Sequence, residues 1–337
     1  MQFEALAKQF ALKNLPESEV DISGEVPFEV LAPYRERAIT HLAEHMELPG
    51  FRPGKVPPAT AVQKVGEVGV LEEAAELFIK DFYPELVEAH KLDVVGRPEI
   101  KVTKLAPGNP VGLVIRTTLY PEVSVPKTWK FLHEKVALET ALPGTDEEVD
   151  KTLEDLRQSR KKNDVVPELD DAFAKSVGAF ETLDALKEQM KKGITEEKLR
   201  RAQSTRRGKL VELLLEQTPL AVPKIFVESE LGKIMAQMQE DVQRMGLKFE
   251  DYLKHSQKTE EQIRKDFTDQ AQKRARLQLI LNKLADEESV TADEKEIEAE
   301  LKHAIEHFPD ANPELVRVHI ETVLRNEKVL KLLEGAK

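Results

Sequence analysis

Apolar residues alternate with a period of two only within the first 120 positions of this 337-residue chain; beyond Pro143-Gly144 their spacing is helical almost to the end. That change of period confines any sheet to the N-terminal third, because a strand turns every second side chain to one face and a helix every third or fourth. Within residues 17–26, Val20, Ile22 and, past Gly24, Val26 share one side of a predicted strand that Pro27 ends. Leu31, Tyr34, Ala38, Leu42 and His45 then recur at helical spacing over 28–46. Helical patterns return at 59–65 and 70–90, and extended segments follow at Ile100/Val102 and over 111–120. One strand, three helices and two strands predict a compact α+β domain.

The remainder predicts an extended all-α, SurA-like domain with helical arms. Thr145 followed by Glu148 has the form of a capping box, opening a helix to about Lys162 with Val149, Leu153 and Leu156 as its apolar stripe. A long helix is expected over 183–216, with Gly193 or Gly208 as the place where it would break, and further helices over 223–245, 259–286, 292–307 and 313–334. The expected division is an α+β domain at 1–130, an arm or linker helix at 131–163 and a helical C-terminal domain at 164–337.

Composition narrows the chemistry. With no cysteine, thiolate catalysis, disulfides and Cys-based zinc sites are excluded. Aromatic residues make up 5% and charged residues 33%, and the formal net charge is −12, so contact with nucleic acid has to come from a local basic feature. The N-terminus has no apolar run behind a basic start, and no stretch reaches the roughly 20 apolar residues of a membrane span; a cytoplasmic protein is expected. No GxGxxG, GxxxxGK[ST] or GxSxG occurs, and no catalytic residue, cofactor or metal is expected. His303/His307 and His41/His45 have i,i+4 spacing but lack a third ligand, and read as surface histidines.

The local basic feature is Gly50-Phe51-Arg52-Pro53-Gly54-Lys55-Val56-Pro57. It lies in an eleven-residue stretch, 48–58, with four prolines and two glycines, which cannot continue a helix. Such a loop belongs at the surface, since buried irregular backbone strands its polar groups. Arg52 and Lys55 suit RNA phosphates and Phe51 a base or an apolar protein surface; a rigid turn with solvated charges is the plainer reading. A second candidate is the stripe Leu231, Met235, Met238, Val242 and Met245, either core packing or an adaptable surface for unfolded chains. Residues 187–209 hold nine Lys or Arg against three Glu, which reads as a solvated helix face with ion pairs such as Glu197–Arg201, or as a contact for RNA or acidic segments.

The octapeptide resembles the ribosome-docking signature of the trigger factor family. Residues 17–27, Val95-Gly96-Arg97-Pro98-Glu99-Ile100, Tyr120-Pro121-Glu122-Val123 and Pro167-Glu168-Leu169-Asp170-Asp171-Ala172-Phe173-Ala174 resemble further landmarks of that family, in order. The resemblance implies an N-terminal domain that docks beside the ribosomal exit tunnel, on a ribosomal protein and adjacent RNA. It implies a helical domain that cradles nascent chains without ATP, and possible homodimers of the free protein. By position, Phe51, Arg52 and Lys55 match the signature's aromatic and basic residues; some members carry a further basic residue where this chain has Pro53. The family's FKBP-like isomerase domain follows the arm helix, whereas here Arg160-Lys161-Lys162-Asn163 leads through Asp164-Val165-Val166-Pro167 directly into the C-terminal landmark. No isomerase is therefore expected. The other readings are a prolyl isomerase, a periplasmic chaperone-isomerase with a similar helical domain, and a free cytosolic helical chaperone or adaptor.

Overall fold

The computed structural model describes residues 2–49, 51–52, 54–106, 108–139, 142–161 and 165–335. The period-two segments become a four-stranded antiparallel sheet of order β1-β2-β4-β3, from β1 (Ala11–Asn14), β2 (Glu19–Val26), β3 (Val94–Lys104) and β4 (Val111–Leu119). Val20, Ile22 and Val26 are buried while Asp21, Ser23 and Glu25 between them are less so, the alternation the sequence showed. Opposite them in register stand Thr117, Ile115 and Val111 of β4. One face of the sheet packs on α1 (Gln2–Ala7), α2 (Phe28–His45) and α3 (Pro58–Ala89), with Phe78, Phe82, Leu31 and Ile22 in the core. The rings of Phe78 and Phe82 stack at 4.9 Å, and Phe3 meets each edge-on at 5.8 Å, a favoured geometry for aromatic quadrupoles. Gly66 interrupts α3 at φ 81°, ψ 163°, as the two separate helical patterns implied.

The all-α remainder contains α4 (Leu132–Lys135), α5 (Asp146–Ser159), α6 (Asp171–Val177), α7 (Leu183–Gln217), α8 (Lys224–Arg244), α9 (Phe249–Ser256), α10 (Glu260–Asp266), α11 (Thr268–Glu287), α12 (Glu294–His307) and α13 (Pro313–Leu333). The Thr145–Glu148 capping box forms in full. Three expectations are corrected. The long helix α7 is continuous through Gly193 and Gly208, which meet only open space. The segment expected as one helix over 259–286 is two, because Phe267 ends α10 before α11 begins. α1, β1, α4, α6 and α9 were not anticipated.

The chain clusters into two compact units, each assembled from two stretches: 1–122 with 220–276, and 123–219 with 277–337. In the first, Ile225 at the start of α8 sits over Gly96, where a Cβ would meet it at 2.2 Å, and Phe226 meets Tyr120 edge-on at 5.8 Å. Leu231, Ile234 and Ala271 close the core between α8 and α11. In the second unit, Leu153, Phe173, Ala174 and Leu186 join α5, α6 and α7. Arg206 donates to the backbone carbonyls of Val136, His133 and Glu334, and Arg207 grips the carboxylates of Glu327 and Glu334. Those two carboxylates raise the Arg207 pKa further above its ordinary value.

Candidate functional site

The predicted docking loop joins α2 to α3. Val56, Ala43 and Ala61 are buried beneath it, with Met46 and Leu48 packed against them, and Pro58 sits at the first turn of α3, where a missing N–H costs nothing. This small apolar cluster ties down both stems. Ion pairs brace the helices behind it: Arg35 chelates Glu67 at 2.7 and 2.8 Å, Arg37 reaches Asp81 at 2.8 Å, and His41 Nδ1 lies 2.9 Å from Glu73. Hydrogen bonding from Arg35 lowers the Glu67 pKa, and Arg37 together with the Tyr34 hydroxyl lowers that of Asp81.

On those stems the chain makes two tight turns. The Phe51 N–H donates to Leu48 O at 3.1 Å and the Lys55 N–H to Arg52 O at 3.0 Å. Gly54 takes φ 75°, which side-chain-bearing residues rarely adopt; a Cβ there would reach Glu44 O at 3.4 Å, an ordinary contact, so the backbone angle is what calls for glycine. Phe51 stands 41% exposed, Arg52 and Lys55 are exposed, and neither cation has a carboxylate partner among the described residues. Gly50 and Pro53 of the same signature lie outside the described residues. One ring and two free cations are thus presented together on a braced loop.

The methionine stripe divides. Leu231, Met235 and Val242 are buried, Met238 is half-buried, and Met245 is 67% exposed at the end of α8, two residues from exposed Leu247. The basic run of α7 finds partners across to α5: Lys187 pairs with Asp150 at 3.1 Å, Lys191 with Asp146 at 2.7 Å and Lys198 with Glu148 at 2.6 Å. Three of the nine cations thus tie α7 to α5.

A further apolar group escaped the sequence reading. Phe308, Leu315 and Val318 are each more than 60% exposed, at the turn between α12 and α13 and the start of α13. Their signal was the pair Pro309 and Pro313, which fixes a turn beside a phenylalanine, and the i,i+3 spacing of Leu315 and Val318. The rings of His303 and His307 lie 4.4 Å apart and those of His41 and His45 4.2 Å; among the described residues no three potential ligands converge on a metal position. No helix among them is long and apolar enough to cross a membrane.

A sheet domain bearing a basic, aromatic-tipped loop, followed by long helices that expose apolar side chains at their turns, defines a protein that holds other polypeptides by surface contact: a chaperone. The profile of the bacterial trigger factor protein matches residues 8–156, and that of the bacterial trigger factor C-terminus matches 182–334. The chain is 24% identical to trigger factor of Caldicellulosiruptor bescii over 87% of each chain. It is 25% identical to that of Salinispora arenicola, over 87% of this chain and 84% of the relative, and 24% identical to that of Frankia casuarinae, over 96% and 86%. A solved structure, reported for promiscuous substrate recognition in folding and assembly activities of the trigger factor chaperone, superposes with a TM-score of 0.54 at 19% identity, covering 96% of this chain and 99% of its own. The chain belongs to the trigger factor family of ribosome-associated chaperones.

Proposed function

We propose that this chaperone acts in the cytoplasm and docks beside the ribosomal exit tunnel through the signature Gly50, Phe51, Arg52, Pro53, Gly54 and Lys55, with Phe51, Arg52 and Lys55 making the contacts. The observation that carries the proposal is the exposed ring and the two unpaired cations on one braced loop. The ring suits an apolar groove on a ribosomal protein and the cations suit adjacent rRNA phosphates. The functional division along the chain is a docking domain at 1–130, an arm at 131–163 and a substrate-binding domain at 164–337. Met238 and Met245 are the members of the Leu231–Met245 stripe left accessible to clients. Free protein forms homodimers. Co-sedimentation with ribosomes over a salt series tests the docking: binding should weaken as salt rises, because phosphate contacts release counterions. It should fall about tenfold or more in a Phe51→Ala, Arg52→Ala, Lys55→Ala variant. Equal binding by the variant would remove the loop as anchor.

Nascent chains are shielded by weak multivalent contacts, without ATP and without prolyl isomerisation. Two observations support the last point. The family matches leave only residues 157–181 between them, too short a stretch to fold alone. The alignment with the C. bescii relative runs over 381 positions although 87% of this 337-residue chain takes part, so the relative carries a stretch without counterpart here. Proline-limited refolding of a reporter should proceed at its uncatalysed rate in the presence of the protein; catalytic acceleration by pure protein would refute this.

A further inference from the structure

The pairs between α7 and α5 leave the C-terminal half of the 187–209 basic run to another surface. A cavity of about 620 Å³ opens there between α7, Leu138 and the end of α13, all within the second compact unit. On α7, Arg200, Gln203, Ser204 and Arg207 follow one another at i, i+3, i+4 and i+7, so they share one helix face, and that face lines the cavity. Arg206 joins them from the neighbouring turn position, and Glu334 and Gly335 line the side given by α13. Leu138, 45% exposed, is the apolar member of the lining.

Most donors in this cavity are unused. Arg200, Gln203 and Ser204 are exposed and make no hydrogen bond or ion pair among the described residues. Arg206 carries five N–H groups and uses three, on Val136 O at 2.8 Å, His133 O at 3.1 Å and Glu334 O at 3.2 Å. Those acceptors are neutral carbonyls, so its charge meets no carboxylate among the described residues. Arg207 differs, because Glu327 and Glu334 hold it with both their carboxylates. The acid of the lining is thereby occupied, while the guanidiniums of Arg200 and Arg206 stay uncancelled. In a chain of net charge −12 this is a local excess of positive charge. Two like charges on one cavity repel, and an anion placed between them turns that repulsion into attraction.

The geometry points to a binding site for a small anion of the oligophosphate class, carrying at least two negative charges. The planar fork of Arg200 takes two phosphate oxygens, the Ser204 hydroxyl and the Gln203 amide donate to others, and the two remaining N–H groups of Arg206 complete the donor set. The volume lies within the range of small-molecule sites. Among the described residues no aromatic ring lines the cavity, so the phosphates and not a base carry recognition. Because Arg206 also holds the carbonyls of 133, 136 and 334, a bound anion steadies the 133–138 segment and the end of α13 against α7. The site belongs to a different compact unit from the Phe51 loop, and it does not rest on ribosome docking.

The test is calorimetric titration of the full chain with inorganic pyrophosphate in metal-free buffer at fixed ionic strength. One site should fill, and ADP, which presents the same diphosphate, should bind within about threefold of it. An Arg200→Gln, Gln203→Ala, Ser204→Ala variant should bind pyrophosphate about tenfold more weakly. An Arg201→Gln variant, changed one position along the same basic run, should bind as wild type does, and so should an Arg52→Ala, Lys55→Ala variant. All six positions are exposed, and an unchanged thermal unfolding curve certifies the fold. Saturating pyrophosphate should also slow hydrogen exchange of the 133–138 amides in wild type and leave it unchanged in the triple variant. Failure of wild type to bind overturns the proposal, as does wild-type affinity in the triple variant. An equal loss in the Arg201→Gln variant makes the attraction a diffuse one of the whole helix and overturns the site. A loss confined to the Arg52→Ala, Lys55→Ala variant puts the anion on the loop and overturns it too. ADP binding far more tightly than pyrophosphate overturns recognition by phosphate alone.

Discussion

Gly24 is the residue that lets the sheet core close. A Cβ there would lie 2.6–2.7 Å from three atoms of the Phe10 ring, which is itself buried. Gly24→Ala should therefore destabilise by about 1–3 kcal/mol, the cost of overpacking a filled core, read as a lower urea midpoint. In the sequence Gly24 looked like a gap in the alternation of Val20, Ile22 and Val26; only the arrival of Phe10, fourteen positions earlier, shows what fills it. Gly54 differs, since its reason is local. Gly54→Val should cost about 1–2 kcal/mol, the penalty of a left-handed φ for a side-chain-bearing residue, read as a lower urea midpoint, and should also weaken ribosome co-sedimentation if the loop is the anchor. The loop was legible because prolines, glycines and cations declare themselves residue by residue. The burial of Leu231, Met235 and Val242 was not, because a helical apolar stripe reads alike whether another helix covers it or not.

Among the elements, those with strong local signals formed where the sequence placed them. The Thr145 capping box is one, and Thr145→Ala should cost about 1 kcal/mol through the exposed amides at the start of α5, seen as a lower thermal midpoint. β1 lacked any signal: its four residues are all exposed, so no face alternates with another. Gly193 and Gly208 misled in the other direction. Each lowers helix propensity by about 1 kcal/mol relative to alanine, yet α7 stays continuous: pairs to α5, α13 and the 133–136 backbone hold it before and between the two glycines, and buried Leu210 and Leu214 hold it after them. The α2–α3 pairing carries a pH dependence. The carboxyls of Glu67 and Asp81 titrate below their ordinary range because Arg35 and Arg37 hold the charged forms. The stability they add is present above the unfolded carboxylate pKa of about 4 and is lost as pH falls through the lower folded values. Comparing urea midpoints at neutral pH and near pH 3 should show a fall that is smaller in an Arg35→Gln, Arg37→Gln variant.

For the whole molecule, the sequence conveyed the order of elements but not how they group, because clustering 1–122 with 220–276 depends on contacts that no local pattern encodes. Its consequence lies in how this chaperone is itself made. The sheet core draws only on residues 3–119, so it can close soon after its last strand leaves the ribosome. The first unit is complete only when residue 276 has followed. At synthesis rates of ~5–20 residues per second, that interval lasts on the order of ten seconds. During it, Tyr120 and the strand around Gly96 await Phe226 and Ile225, while the Phe51 loop, built wholly within the early stretch, is already finished. A molecule that guards unfinished chains thus passes through an unfinished state of its own with its basic, aromatic-tipped loop in place, and another copy of the chaperone would meet it as a client.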